Sequence, residues 1–176
     1  MNKSASGSHE KWYTKVLEKL IEDPTKSIRD IASELGTYRQ KVWRKKKKME
    51  DDNVIWGYTA VVNESKLNGV MYVILMKMTP MTKELADIIT RRLIRQEPRE
   101  QNIRLLNVLY VNGEFDLLIM FTAPDHATAR RYYDSLRIVY HEHLLEKPVI
   151  IDVNFAFLRE GKLNPKLENI YDFVPK

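Results

Sequence analysis

No cysteine stands in this 176-residue chain, which removes disulfide frameworks, thiolate metal sites and cysteine nucleophiles together. Glycine is scarce as well, six in all, and no P-loop or Gly-rich phosphate loop can be assembled from them. Long apolar runs are missing. The best one, VMYVILMKM, is broken by Lys77 and falls short of the roughly 18–20 residues a membrane span requires. The opening MNKSASGSHE holds no apolar leader core, so residues 1–9 read as a loose tail. Constellations for catalysis are absent too: there is no HExxH and no Ser/His/Asp order. His141-Glu142-His143 reads as helical, where side chains at i and i+2 point about 200° apart and do not chelate together. Only His126 remains as a third ligand. The expectation is a cytoplasmic protein that is not an enzyme, without catalytic residues, metal, cofactor or membrane partner.

Charge is present, but unevenly. Residues 1–52 hold 13 Lys+Arg against 9 Asp+Glu, while the rest is almost balanced at 16 against 15. Most of the excess lies in TYRQKVWRKKKKME (37–50), which carries seven basic residues. From Lys11 to Asp23 the apolar residues Trp12, Val16, Leu17, Leu20 and Ile21 follow helical spacing, and Asp23-Pro24 stops the helix. Ser27 caps a second, short helix with Ile28, Ile31, Ala32 and Leu35 on one face, and Gly36 ends it. Thr37 then reads as the N-cap of a third helix, with Gln40 completing a capping box. Val42 and Met49 share its inward face. Two helices, a Gly-containing turn and a third helix opening on polar residues make a helix-turn-helix pattern. The β-branched and aromatic stretch NVIWGYTAVVN behind it suits the strand of a winged version.

The helix-turn-helix pattern assigns roles. Tyr38, Arg39, Gln40, Lys41 and Arg44 sit where a recognition helix meets base edges, Lys45, Lys47 and Lys48 suit phosphates, and the N-cap Thr37 joins them in the DNA-binding set. Lys46 falls between Val42 and Met49 and reads as snorkelling from the core edge. Trp43 flanks the buried face and reads as packing; Trp12 and Trp56 read as core or domain-joint residues.

The remainder has the order β-α-β-β-α-β: strands at 70–78, 103–111, 114–121 and 149–157, helices at 82–96 and 124–144. Asn112-Gly113 is a hairpin signal. This is the ferredoxin-like arrangement, an antiparallel sheet with both helices on one face. Its strands nevertheless read apolar on both faces, as in VILM (73–76) and LLIMF (117–121), so a second copy packing sheet to sheet is expected. The fold class is α+β. Its divisions are a tail at 1–9, a winged helix-turn-helix at 10–60, a linker at 61–69, a ferredoxin-like domain at 70–158 and an extension at 159–176.

A helix-turn-helix of the form IRDIASELG…V…ME, then VIWGY at the join, then a β-α-β-β-α-β module containing VNGEFDLLI, resembles the Lrp/AsnC (feast/famine) family of transcription regulators, common in archaea. The resemblance spans Trp12 to Phe157. It implies a sequence-specific regulator that binds double-stranded DNA, assembles as a homodimer, tetramer or octamer, and responds to an amino acid or similar small effector. Asp116 matches the family's characteristic acid, which implies effector binding around Gly113, Glu114 and Asp116; hairpin stabilisation is the alternative role for Asp116. Four features depart from the family pattern: Lys46 in an apolar position, Asn53 for glycine, a last strand without its threonine-containing ending, and the extension beyond Arg159. A sensing or architectural DNA-binding protein with weak sequence preference stands as the alternative function.

Overall fold

A computed structural model describes residues 4–175, with side chains from Trp12 onward, and divides between Ala60 and Val61 into two compact units. In the first, helices α1 (Ser4–Glu22), α2 (Ile28–Glu34) and α3 (Arg39–Asp51) enclose one small core. Val16 and Leu20 of α1, Ile31 and Ala32 of α2, and Val42 and Met49 of α3 are its buried members. α1 starts at Ser4 rather than near Lys11, since no proline or β-branched residue between them breaks the turn. The expected tail at 1–9 is therefore helical from Ser4, and its first three residues lie outside the described residues.

Local chemistry fixes the joints. Ser27 caps α2 by accepting from the Asp30 N–H at 3.1 Å, and its hydroxyl donates to the Asp30 carboxylate at 2.7 Å. Gly36, at φ +60°, closes α2: its N–H reaches Ser33 O at 3.1 Å and the Thr37 N–H reaches Ala32 O at 2.8 Å. That pair is a Schellman closure. It also corrects the capping box expected at Thr37. The backbone of Thr37 completes the preceding helix, and α3 starts one residue later, with Tyr38 at the N-cap and no side-chain cap. Asn53 repeats the closure behind α3, at φ +55° with the Val54 N–H on Met49 O at 2.8 Å. Asparagine here does what glycine does in a left-handed position. No strand ladder forms in 53–63 among the described residues, so this unit is a helix-turn-helix without the expected wing strand.

The second unit is a four-stranded antiparallel sheet, order β2-β3-β1-β4, from β1 (Val70–Met76), β2 (Arg104–Tyr110), β3 (Leu117–Ala123) and β4 (Val149–Asp152). Helices α4 (Lys83–Ile94) and α6 (His126–Val139), with the short α5 (Glu97–Glu100) between, complete the ferredoxin-like order. Leu85, Ile88 and Ile89 of α4 and Ala129, Tyr132, Tyr133 and Leu136 of α6 pack on Tyr72, Ile74, Met76, Leu117, Ile119 and Phe121. The alternate residues face the other way. Register aligns Leu109, Leu118, Leu75 and Val149 in one row across all four strands, and Asn107, Met120, Val73 and Ile151 in the next.

Several boundaries differ from expectation. Asp125, not Pro124, starts α6, accepting from the Thr128 N–H at 2.6 Å. α6 ends at Val139, and His141–His143 forms a separate 3-10 turn. Among the described residues no cluster of three or more potential metal ligands occurs, and no helix is long and apolar enough to cross a membrane. Asn112-Gly113 does not form the tight two-residue turn; the Val111 N–H bonds Asp116 O at 2.8 Å across a four-residue loop, and Gly113 keeps an ordinary φ. The dipeptide that does adopt paired positive φ is Glu160-Gly161, at +46° and +73°, between β5 (Leu158–Arg159) and β6 (Lys162–Leu163). That hairpin opens the extension and is pinned by Arg159, whose Nη1 donates at 3.0 Å to both Val62 O and Glu64.

Candidate nucleic-acid interface

α3 is held by Val42 and Met49, both fully buried. The helical period sets what each other side chain does. Tyr38 (64% exposed), Arg39, Gln40, Trp43 (52%) and Arg44 all face outward. Gln40 and Arg44 therefore present a planar amide and a forked guanidinium, the two groups able to make bidentate contacts to adenine and guanine edges. No acid among the described residues lies within ion-pair distance of Arg39 or Arg44. Thr37, half-buried, stands at the turn before the helix.

The lysines divide differently from the expected pattern. Lys45, assigned to phosphate, is buried at 8% exposure, and Lys46, assigned to the core edge, is only half-buried. On a 3.6-residue helix Lys45 lies about 40° from Met49 and Lys46 about 60° on the other side, so Lys45 is nearer the centre of the buried face. Desolvation, aided by Lys48 and Lys41, holds the Lys45 ammonium below its ordinary pKa. Lys46 instead sits over the Tyr58 ring at 4.9 Å and 3.8 Å from Glu50. Tyr58 donates to Glu50 at 3.1 Å, and burial together with that carboxylate pushes its phenol up to about 12. Lys41, expected at base edges, lies over Trp12 at 3.8 Å from the ring centre. Lys47 and Lys48 are exposed and pair one turn on with Asp51 at 3.5 Å and Asp52 at 3.6 Å.

The tryptophans also move. Trp43 is not packed into the core, and Trp56 is 95% exposed rather than a core residue. The outward position of Trp43 was available from angle alone, because it lies about 120° from Met49 around the helix.

At the second expected site, Gly113 and Glu114 are exposed, whereas Asp116 is engaged. Its Oδ2 accepts from the Met78 N–H at 2.7 Å, and its own N–H donates to Met76 O at 2.9 Å. Both bonds tie the hairpin to the end of β1, which is the stabilising role expected of Asp116.

No family model matches the chain. An uncharacterised HTH-type transcriptional regulator of Pyrococcus furiosus is 29% identical over 122 residues, covering 69% of this chain and 77% of that protein. Among solved structures, an AsnC family transcriptional regulator from Agrobacterium tumefaciens aligns with a TM-score of 0.61 at 21% identity, over 90% of this chain and 96% of that one. A transcriptional regulator of Neisseria meningitidis in complex with L-Met aligns with a TM-score of 0.61 at 18% identity, over 88% and 93%. The order of the two units agrees with the residues from Trp12 to Phe157: the chain has the fold of these regulator structures, a helix-turn-helix followed by a ferredoxin-like module.

Proposed function

We propose that the chain regulates transcription by placing α3 in the major groove of double-stranded DNA, as a dimer or higher oligomer that reads a pseudo-palindrome. The observation that carries this reading is the outward row of Arg39, Gln40 and Arg44 at the N-terminal half of a helix fastened from behind by Val42 and Met49. N-terminal residues of a recognition helix contact base edges, and cations around them displace phosphate counterions. Selection of bound duplexes from a random pool tests the reading: a symmetric enriched motif, lost with Arg44→Ala, is the expected result, and a pool without enrichment refutes sequence-specific recognition.

Assembly is supported by the helix-free face of the sheet, where Leu75, Leu118, Leu109 and Val149 form an apolar row with Val73, Met120 and Ile151 beside it. A second copy related by two-fold symmetry would bury these rows and carry two copies of α3 to two half-sites. The L-Met complex of the neisserial neighbour supports modulation by an amino acid or similar small molecule. Effector contacts at this hairpin would come from exposed Glu114, the backbone at Gly113 and the Asp116 oxygen that Met78 does not use. A thermal-shift panel of amino acids checks this, since a ligand at 100 times its dissociation constant adds about 2.7 kcal/mol.

A further inference from the structure

The outward side of α3 holds an indole that phosphate binding and amide or guanidinium recognition leave unused. Trp43 leaves its indole 52% exposed and makes no ring-stacking or cation contact among the described residues. Its neighbours one turn away on the same side are Gln40 and Lys47, with Arg39 and Arg44 flanking. A large apolar ring set among an amide and cations suits a partner that is anionic at its edges and apolar at one central point. The major groove has that chemistry: phosphates line both walls, and the thymine 5-methyl is its apolar projection. An exposed tryptophan is otherwise a liability on a surface that must stay free of self-association.

We infer that Trp43 is a specificity-determining residue that packs on a thymine 5-methyl group in each half-site and selects an A·T pair there. The inference rests on the proposal that α3 enters DNA, and it adds an apolar contact to the thymine methyl that Gln40 and the arginines do not make. It concerns α3 alone and requires nothing of the second unit.

Deoxyuridine provides the test, because it removes only the methyl group and keeps every hydrogen-bonding edge of thymine. With the full chain and the duplex selected above, each thymine is replaced in turn and affinities are compared. One position per half-site is expected to weaken binding about fourfold, the equivalent of one buried methyl group. W43A should bind the parent duplex more weakly and be indifferent to that replacement, while W43F, which keeps a flat apolar ring, should retain part of the response. A wild-type protein indifferent to every replacement, or a W43A variant that keeps the full methyl response, overturns the assignment while leaving DNA binding intact. A W43A protein that unfolds at markedly lower temperature also overturns it, by showing the indole holds the domain together. Failure of the wild type to bind any selected duplex sinks the underlying reading instead.

Discussion

Removing Lys47 and Lys48 together separates two accounts of the basic run. In the free protein both are exposed and pair with Asp51 and Asp52 at 3.5 and 3.6 Å. Exposed i,i+4 pairs contribute about 0.3–0.5 kcal/mol each, so the double substitution to alanine should cost less than about 1 kcal/mol of stability. The folded protein therefore remains available for a binding assay. If each ammonium turns from its aspartate to a phosphate, each adds about 0.9 to the slope of log affinity against log salt. Losing two lowers the slope by about 1.8 per recognition helix. Between 50 and 200 mM salt, wild type should then lose about twelvefold more affinity per helix than K47A/K48A, whatever the DNA sequence. Fluorescence anisotropy across a salt series measures this directly. Equal slopes would mean that Asp51 and Asp52 keep their lysines in the complex, and that the phosphate assignment is wrong.

Lys45→Met should keep the packed stem of the side chain and remove a charge that burial penalises. Its DNA affinity should stay within twofold of wild type; a large loss of affinity would return Lys45 to the phosphate set. Glu64, 8% exposed between Arg104 and Arg159, should lose about 2 kcal/mol of stability on change to Gln, below the full cost of breaking a buried pair because Arg104 is half exposed. Burial raises the Glu64 pKa, but the hydrogen bonds and charges of the two arginines outweigh it and the net shift is downward. Its contribution is therefore complete above the ordinary value of 4.5 and fades as pH falls through the lowered one. Urea midpoints between pH 6 and 3 should show a steeper acid loss in wild type than in E64Q, and parallel curves would refute the linkage. Leu75→Glu on the helix-free face should convert oligomer to monomer in sedimentation velocity, with no change in the helix-facing core.

How much of this was legible in the sequence follows from how local the controlling physics is. Gly36 was readable as a helix end because a positive φ is a one-residue requirement. The strand and helix order of the second unit was readable because each stripe is long and periodic. Thr37 misled because two closures compete for one residue: its backbone N–H completes α2, so α3 begins after it. Asn112-Gly113 misled for a related reason. The bonds from Asp116 to Met76 and Met78 fix where the hairpin closes, and they join residues 38–40 positions apart that no local rule sees. The exposure of Trp43 was within reach of the helical period, and its aromatic identity outweighed the angle.

The same period also reorders the significance of the charge. Of seven basic residues in 37–50, five have a place in the fold of their own unit: Lys41 on Trp12, Lys45 buried, Lys46 on Tyr58, and Lys47 and Lys48 on acids one turn later. The acids Glu50, Asp51 and Asp52 directly follow the lysine run, so its end of α3 is close to neutral. Arg39 and Arg44 are exposed and have no ion pair or ring contact among the described residues, and they stand with Tyr38, Gln40 and Trp43 at the other end. A general attraction to phosphate would be served by cations anywhere along the helix. Concentrating the exposed donors and the exposed ring at the N-terminal half is what the proposed recognition requires, because that is the part of a recognition helix that reaches base edges.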